Sequence, residues 1–213
     1  MKPVALAISL VASFLACGAA NPAVFRFNRI PSETIAKMRG TSWHQGCPVG
    51  PDDLRQLTLT YLDFQSRRQT GVLIVHKDIA RETTALFRGL FEHGFLIERM
   101  SPAENYGGND DESMAANNTS AFNCRDTTGK PGVFSNHSWG RAIDINPLTN
   151  PYRKGDKVLP PGGRAYLDRS REVPGSILRD GFAVKMFEAA GWTWGGRWKD
   201  RQDYQHFEKP KRQ

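Results

Sequence analysis

Apolar and polar positions change period several times along the chain, and each change marks an element. Between Leu57 and Phe64, Leu57, Leu59 and Tyr61 alternate with Thr58 and Thr60, the two-residue period of a strand. Val72 to Val75 is a second, continuously apolar strand. From Asp78 the period lengthens: Ile79, Thr83, Leu86, Phe87, Leu90 and Phe91 recur at helical spacing, with Asp78 as the expected cap and Gly94 as the stop. Ser32 to Met38 predicts a shorter helix, capped by Ser32 with Gly40 just past its end. Phe95 to Met100 and Gly140 to Ile145 predict short strands, and Asp180 to Ala190 predicts a last helix ended by Gly191. Ser101 to Pro131 and Asn150 to Gly175 show no sustained period and read as loops, the second centred on Pro160-Pro161-Gly162-Gly163. Loops of that length inside a compact domain are usually functional or disordered. The pattern predicts an α+β fold in one domain, without internal repeats or a dividing linker.

The first twenty residues read differently. Lys2 precedes an uncharged apolar run from Val4 to Ala16, then Gly18, Ala19 and Ala20 ahead of Asn21. This is the pattern of a secretory signal peptide, and residues 21–46 then form an N-terminal extension with the short helix. Leu15-Ala16-Cys17-Gly18 loosely resembles a bacterial lipoprotein acylation site, so lipid anchoring through Cys17 is the alternative to cleavage. Either way the protein is expected outside the cytoplasm, in periplasm, cell envelope or medium, with no transmembrane helix in the mature chain.

With 213 residues, 39% of them hydrophobic and 10% aromatic, the chain has enough large side chains for a packed core and is not of disordered composition. Its 29 Lys and Arg against 22 Asp and Glu leave a net charge of +7, reduced by one when the leader removes Lys2. Such a balance favours polyanionic neighbours. Apart from the tail Lys209-Pro210-Lys211-Arg212, within residues 209–213, there is no basic helix or aromatic-interleaved basic stripe, so nucleic acid is not expected as a partner. Beyond the leader two cysteines remain, Cys47 and Cys124, and in an oxidising compartment an isolated pair reads as a disulfide, worth roughly 4 kcal/mol for so long a loop.

Two of the five histidines have neighbours that suggest chemistry. In Ser135-Asn136-His137-Ser138-Trp139-Gly140-Arg141-Ala142-Ile143-Asp144 an imidazole precedes a carboxylate by seven residues. Asp144 lies between Ile143 and Ile145, so in a strand it faces away from them, on the side of the small Gly140 and Ala142. A carboxylate flanked by apolar residues is costly unless it meets a cation or a full set of donors. Near the C-terminus, Asp203-Tyr204-Gln205-His206-Phe207-Glu208 supplies a second imidazole with a carboxylate three positions before it. Two histidines and an aspartate suffice to hold a catalytic Zn²⁺ with one position open, and Asp203, near the metal without binding it, can then move a proton.

SNHSWGRAIDINP, the NPY at Asn150 to Tyr152, the upstream NTSAFNCR from Asn118 to Arg125 and the terminal WTWGGRWKDRQDYQHFE, in that combination, resemble the zinc peptidases of bacterial cell walls grouped as family M15. The resemblance covers roughly Cys47 to Glu208 and implies a zinc peptidase domain over residues 47–208, with a small antiparallel sheet flanked by helices, the hedgehog/DD-peptidase-like fold. It implies His137, Asp144 and His206 as metal ligands, Asp203 as general base, and Arg125 as the arginine that steadies the oxyanion of the scissile carbonyl. Ser120 and Asn123 are looser candidates for holding the substrate backbone, and Glu208 either orients a ligand histidine or pairs with a nearby lysine. The activity implied is hydrolysis of a peptidoglycan stem peptide by a monomer, at D-alanyl-D-alanine as a carboxypeptidase. The alternatives are an L-alanyl-D-glutamate endopeptidase with the same zinc set, or a non-catalytic zinc-binding module on a shared scaffold. A carboxypeptidase also needs a cation for the substrate carboxylate, for which Arg125, Arg141, Arg164 and Arg169 are all available in the sequence.

Overall fold

A computed structural model describes residues 22–210; the leader, with Cys17, and the last three residues of the basic tail lie outside the described residues. Strands β1 (Phe25–Asn28), β2 (Leu54–Leu62) and β3 (Arg68–His76) form an antiparallel sheet in that order. In β2 the alternation buries Leu57 and Leu59 completely. Both nine-residue strands outrun their periodic cores, because Leu54 pairs with His76 and Leu62 with Arg68, and backbone pairing does not need apolar side chains at every position. The turn between them is tied by Asp63, whose carboxylate accepts from the backbone N–H of Gln65 and Arg67 and from the side chains of Arg67 and Gln69. Strand β1 was not visible as a pattern; it makes the segment before Cys47 an edge of this sheet.

Helix α1 (Ser32–Met38) has the expected bounds, but its cap is Pro31, with no side-chain cap bond, and Ser32 is already helical. Helix α2 (Lys77–Glu92) follows β3 without a loop, so His76 occupies the cap and its Nδ1 accepts from the Asp78 N–H at 3.3 Å. Asp78 instead sits in the first turn, where its charge favours the helix dipole. The stripe Ile79, Thr83, Leu86, Phe87 and Leu90 is buried as its spacing predicts.

The remainder is built from short pieces. Strand β4 (Arg99–Met100), all that is regular of the stretch expected from Phe95, pairs in parallel with β5 (Asn118–Thr119). Between them lies α3 (Asp110–Ala115), and β6 (Asp126–Thr127) with β7 (Lys130–Phe134) makes a hairpin inside the stretch read as loop. Then come β8 (Ala142–Asp144), β9 (Tyr152–Lys154), β10 (Lys157–Leu159), α4 (Phe182–Ala189), β11 (Thr193–Trp194), β12 (Gln202–Asp203) and β13 (His206–Glu208). They form two antiparallel sheets, β10-β9-β12 and β11-β13-β8. The class is thus α+β, with several small sheets where one was expected.

Buried asparagines replace regular pairing in these segments. Asn146 accepts from the Glu98 N–H and donates to the carbonyls of Leu96 and Gly175. Asn117 accepts from Leu148 and Thr149, and Asn150 donates to Ile145 and Gly175. Each supplies donors and acceptors that the irregular backbone would otherwise leave unpaired. One hydrophobic core joins the two halves: Leu57, Leu73, Phe87 and Leu90 of the first pack with Ile143, Ile145, Phe187 and Phe207 of the second. A smaller cluster around Met38, Leu54, Ile74 and Phe122 adjoins the Cys47–Cys124 disulfide, which spans 77 residues. Among the described residues no helix is long and apolar enough to cross a membrane.

Candidate metal centre

Three elements converge on one buried point. His137 sits in a tight 3₁₀ turn, Asn136–Trp139, opened by Ser135, whose hydroxyl accepts from the His137 N–H. The turn closes at Gly140, which has a φ of 63° and packs so closely on β3 that an added Cβ would lie 2.7 Å from the His76 nitrogen. Only glycine meets both conditions. Asp144 ends β8 directly opposite His206 of β13, and its backbone exchanges two hydrogen bonds with Ser120 at 2.9 and 3.0 Å. Ile143, Ile145 and Phe207, pointing the other way, are fully buried and hold these strands on the core.

The donor atoms face one another. The nitrogens His137 Nε2 and His206 Nδ1 are 3.2 Å apart, and the Asp144 carboxylate lies 3.1 Å from the first and 2.9 Å from the second. All three residues are buried. His137 Nδ1 donates to the Ala121 carbonyl at 2.6 Å, which leaves the Nε2 lone pair directed inward. His206 Nε2 lies 3.1 Å from Glu208, which also accepts from Asn136 at 2.6 Å, so Nδ1 of that ring points inward too. Two lone pairs and a carboxylate aimed at one point need a proton or a cation between them. Burial works against a charged His206, yet its bonds to Asp144 and Glu208 prevail and push it up to about 10. Burial likewise opposes ionised Asp144, but the two imidazoles hold its carboxyl far below the usual carboxylate range. A divalent cation fits this donor set, and the buried imidazoles with one carboxylate suit zinc among other transition metals.

Asp203 stands apart from the three. It lies on β12, where Gly195 permits close passage: a Cβ there would meet the Asp203 carbonyl oxygen at 2.7 Å. Its Oδ1 is buried with no hydrogen-bond partner, and burial raises the carboxyl to about 6. An unpaired buried carboxylate is costly to keep unless something binds there. A cleft of ≈ 390 Å³ exposes His137, Asp144, Asp203 and His206 together, walled by Arg125, Tyr152, Trp198 and Glu208 among others.

Arg125 enters this cleft from just before β6; its Nη2 pairs with Asp110 at 2.9 Å and its Nε is buried without a partner. Ser120 and Asn123 do not line the cleft. Ser120 serves through its backbone beside Asp144, and the Asn123 amide donates to the Gly108 carbonyl. Glu208 pairs with His206 and Asn136 rather than with a lysine. Trp194 is a packing residue, its indole N–H bonded to the Tyr204 carbonyl, whereas Trp198 forms cleft wall beside His206. His76 and His93 cap a helix and stack on Phe182. His44 lies near Cys47 and Cys124, but those sulfurs are bonded to each other. Sequence reasoning missed Ala121, which acts through a backbone carbonyl that carries no residue-type signal. It also missed the strand that begins at the tyrosine of the NPY motif, which is only three residues long.

Metal-assisted hydrolytic centres combine inward-facing imidazoles and a carboxylate with a separate acid, and His137, His206, Asp144 and Asp203 supply that set of groups. Residues 128–209 match the family model described as D-alanyl-D-alanine carboxypeptidase, so this part of the chain is similar to the M15 peptidases. All three ligand candidates and Asp203 fall within it, whereas Arg125 and the disulfide lie before it. No curated protein and no solved structure matches the chain. A cell-wall peptidase family together with a disulfide suggests an exported protein.

Proposed function

We propose that the protein is a zinc-dependent peptidase of the peptidoglycan stem, acting as a D-alanyl-D-alanine carboxypeptidase. The observation that carries this reading is the unpaired, buried Asp203 oxygen in the same cleft as the inward-facing His137, His206 and Asp144. Those three residues would hold the ion, with His137 and His206 fixed in orientation by Ala121 and Glu208. A bound divalent cation supplies Lewis-acid chemistry, polarising an amide carbonyl and acidifying water. Asp203 is the proton carrier: as a carboxylate it takes a proton from the attacking water, and it returns that proton to the departing amine. Its surroundings, which favour the neutral acid, make it a stronger proton acceptor in the first of these steps. Arg125 donates toward the developing oxyanion while Asp110 steadies its guanidinium.

Metal content and hydrolysis of a peptide ending in D-Ala-D-Ala test the reading together. Asp203→Ala is expected to retain zinc and lose about 10²–10⁴-fold in turnover, the usual worth of a general acid-base group. Full activity in that variant would refute the role, and a zinc-free, inactive wild type would refute the whole assignment. Mass spectrometry of digested muropeptides separates release of a single D-Ala from cleavage near the root of the stem.

A further inference from the structure

Four arginines were available for a substrate carboxylate, and three of them are committed elsewhere. Arg141 is buried and donates to the carbonyls of Lys209 and Pro210. Arg164 donates to the Asp156 carbonyl, and Arg169 to Asn150 and to the carbonyls of Thr149, Tyr166 and Ile177. Arg125 reaches the cleft but is paired with Asp110, and Arg201, also in the cleft wall, is paired with Asp200. Among the described residues, the cleft cations that make no direct ion pair are Lys130 and Lys154, and Lys154 lies near enough to Asp200 to help hold that carboxyl down.

Strand register places Lys154. Tyr152 of β9 lies opposite Asp203 of β12, and residues two apart on a strand share a face. Accordingly Tyr152 and Lys154 line the cleft and Arg153 does not. Lys154 thus stands roughly 7 Å along the strand from the level of Asp203. Because Asp203 returns a proton to the departing amine, the wall that carries it is the leaving-group wall. An extended peptide advances about 3.5 Å per residue, so a carboxylate on the first residue beyond the scissile bond falls between Asp203 and Lys154, within reach of a flexible ammonium.

We propose that Lys154 binds a free α-carboxylate on the residue that follows the scissile bond, and that this carboxylate defines the substrate class. The proposal rests on the peptidase reading above. Two substrates carry the same chemistry: a C-terminal residue, and a glutamate joined onward through its γ-carboxyl, whose α-carboxylate stays free. Lys130, on the β6–β7 hairpin, is not assigned this task.

The experiment uses the zinc-loaded enzyme and two matched pairs of peptides: one ending in D-Ala-D-Ala as free acid or amide, the other containing L-Ala-γ-D-Glu with the glutamate α-carboxyl free or amidated. Wild type is expected to show at least a tenfold higher KM for the amide of whichever pair it cleaves, with kcat nearly unchanged; the pair that is cleaved identifies the source of the carboxylate. Lys154→Met should erase the difference, Lys154→Arg should restore part of it, and Lys130→Met should keep it. Calorimetric binding of the same peptides to the Asp203→Ala protein should give the same contrast without turnover. Equal kcat/KM for acid and amide in wild type, or an acid preference that survives Lys154→Met, overturns the proposal and leaves the peptidase reading standing. A wild type that cleaves neither pair overturns both.

Discussion

The sheet β1–β3 with α2 and the short-stranded remainder stand on the same hydrophobic core but are built on different terms. In the first region strands of nine residues and a helix of sixteen show their burial as sequence period, and their side chains serve chiefly to pack. In the second, strands of two to five residues carry apolar side chains on one face and chemistry on the other. Ile143 and Phe207 anchor the strands that present Asp144 and His206. A short strand cannot hold its own geometry, so the direction of each of these side chains is set by its cross-strand partner and by a core to which both regions contribute. The candidate site therefore lies in the second region alone, although it depends on packing that both supply.

That division can be broken by experiment. Phe87→Ala removes a fully buried ring from the shared core and should cost about 3–5 kcal/mol in urea denaturation, with kcat per folded molecule unchanged. A large fall in kcat at near-normal stability would show that the regions are not separable. The converse change is Asp203→Asn. The native carboxyl, raised to about 6 against an ordinary value near 4, favours folding in its protonated form. Its contribution is fully present below about pH 4 and is lost as pH rises through about 6. Metal-free Asp203→Asn should thus match wild type at pH 4 and exceed it by roughly 2–3 kcal/mol at pH 7.5, while losing activity. Equal stability at both pH values would mean that Asp203 has ample solvation. The smallest expected effect is at Glu208, where Glu208→Gln should weaken metal affinity by about 10–100-fold in a chelator titration, through a looser His206. An unchanged affinity would reduce Glu208 to a surface tie with Asn136.

How far the primary structure could be read follows the same line. The stripe of α2 and the alternation of β2 were legible because a long element repeats its burial often enough to be seen. Strand β1, the β6–β7 hairpin and β9 were not, since two to five residues offer no period and their pairing partners are distant. Gly140 reads from sequence as the start of a strand and nothing there singles out Gly195, yet the contacts that demand these glycines come from β3 and from Asp203.

Residue types and their order were enough to nominate two imidazoles and a carboxylate as a metal-holding set with a second carboxylate nearby, whereas the role of Arg125 came from the resemblance to the M15 peptidases. Which of these atoms face one another was settled only in three dimensions, where Asp144 comes to lie opposite His206 and Asp203 opposite Tyr152. The competition among four arginines was likewise decided by folding, which spends Arg141, Arg164 and Arg169 on carbonyls and leaves Lys154 on the cleft wall. The reason is physical: chemical capability belongs to a side chain and can be read one residue at a time. Its direction, solvation and partners belong to pairs of residues that only long-range packing brings together.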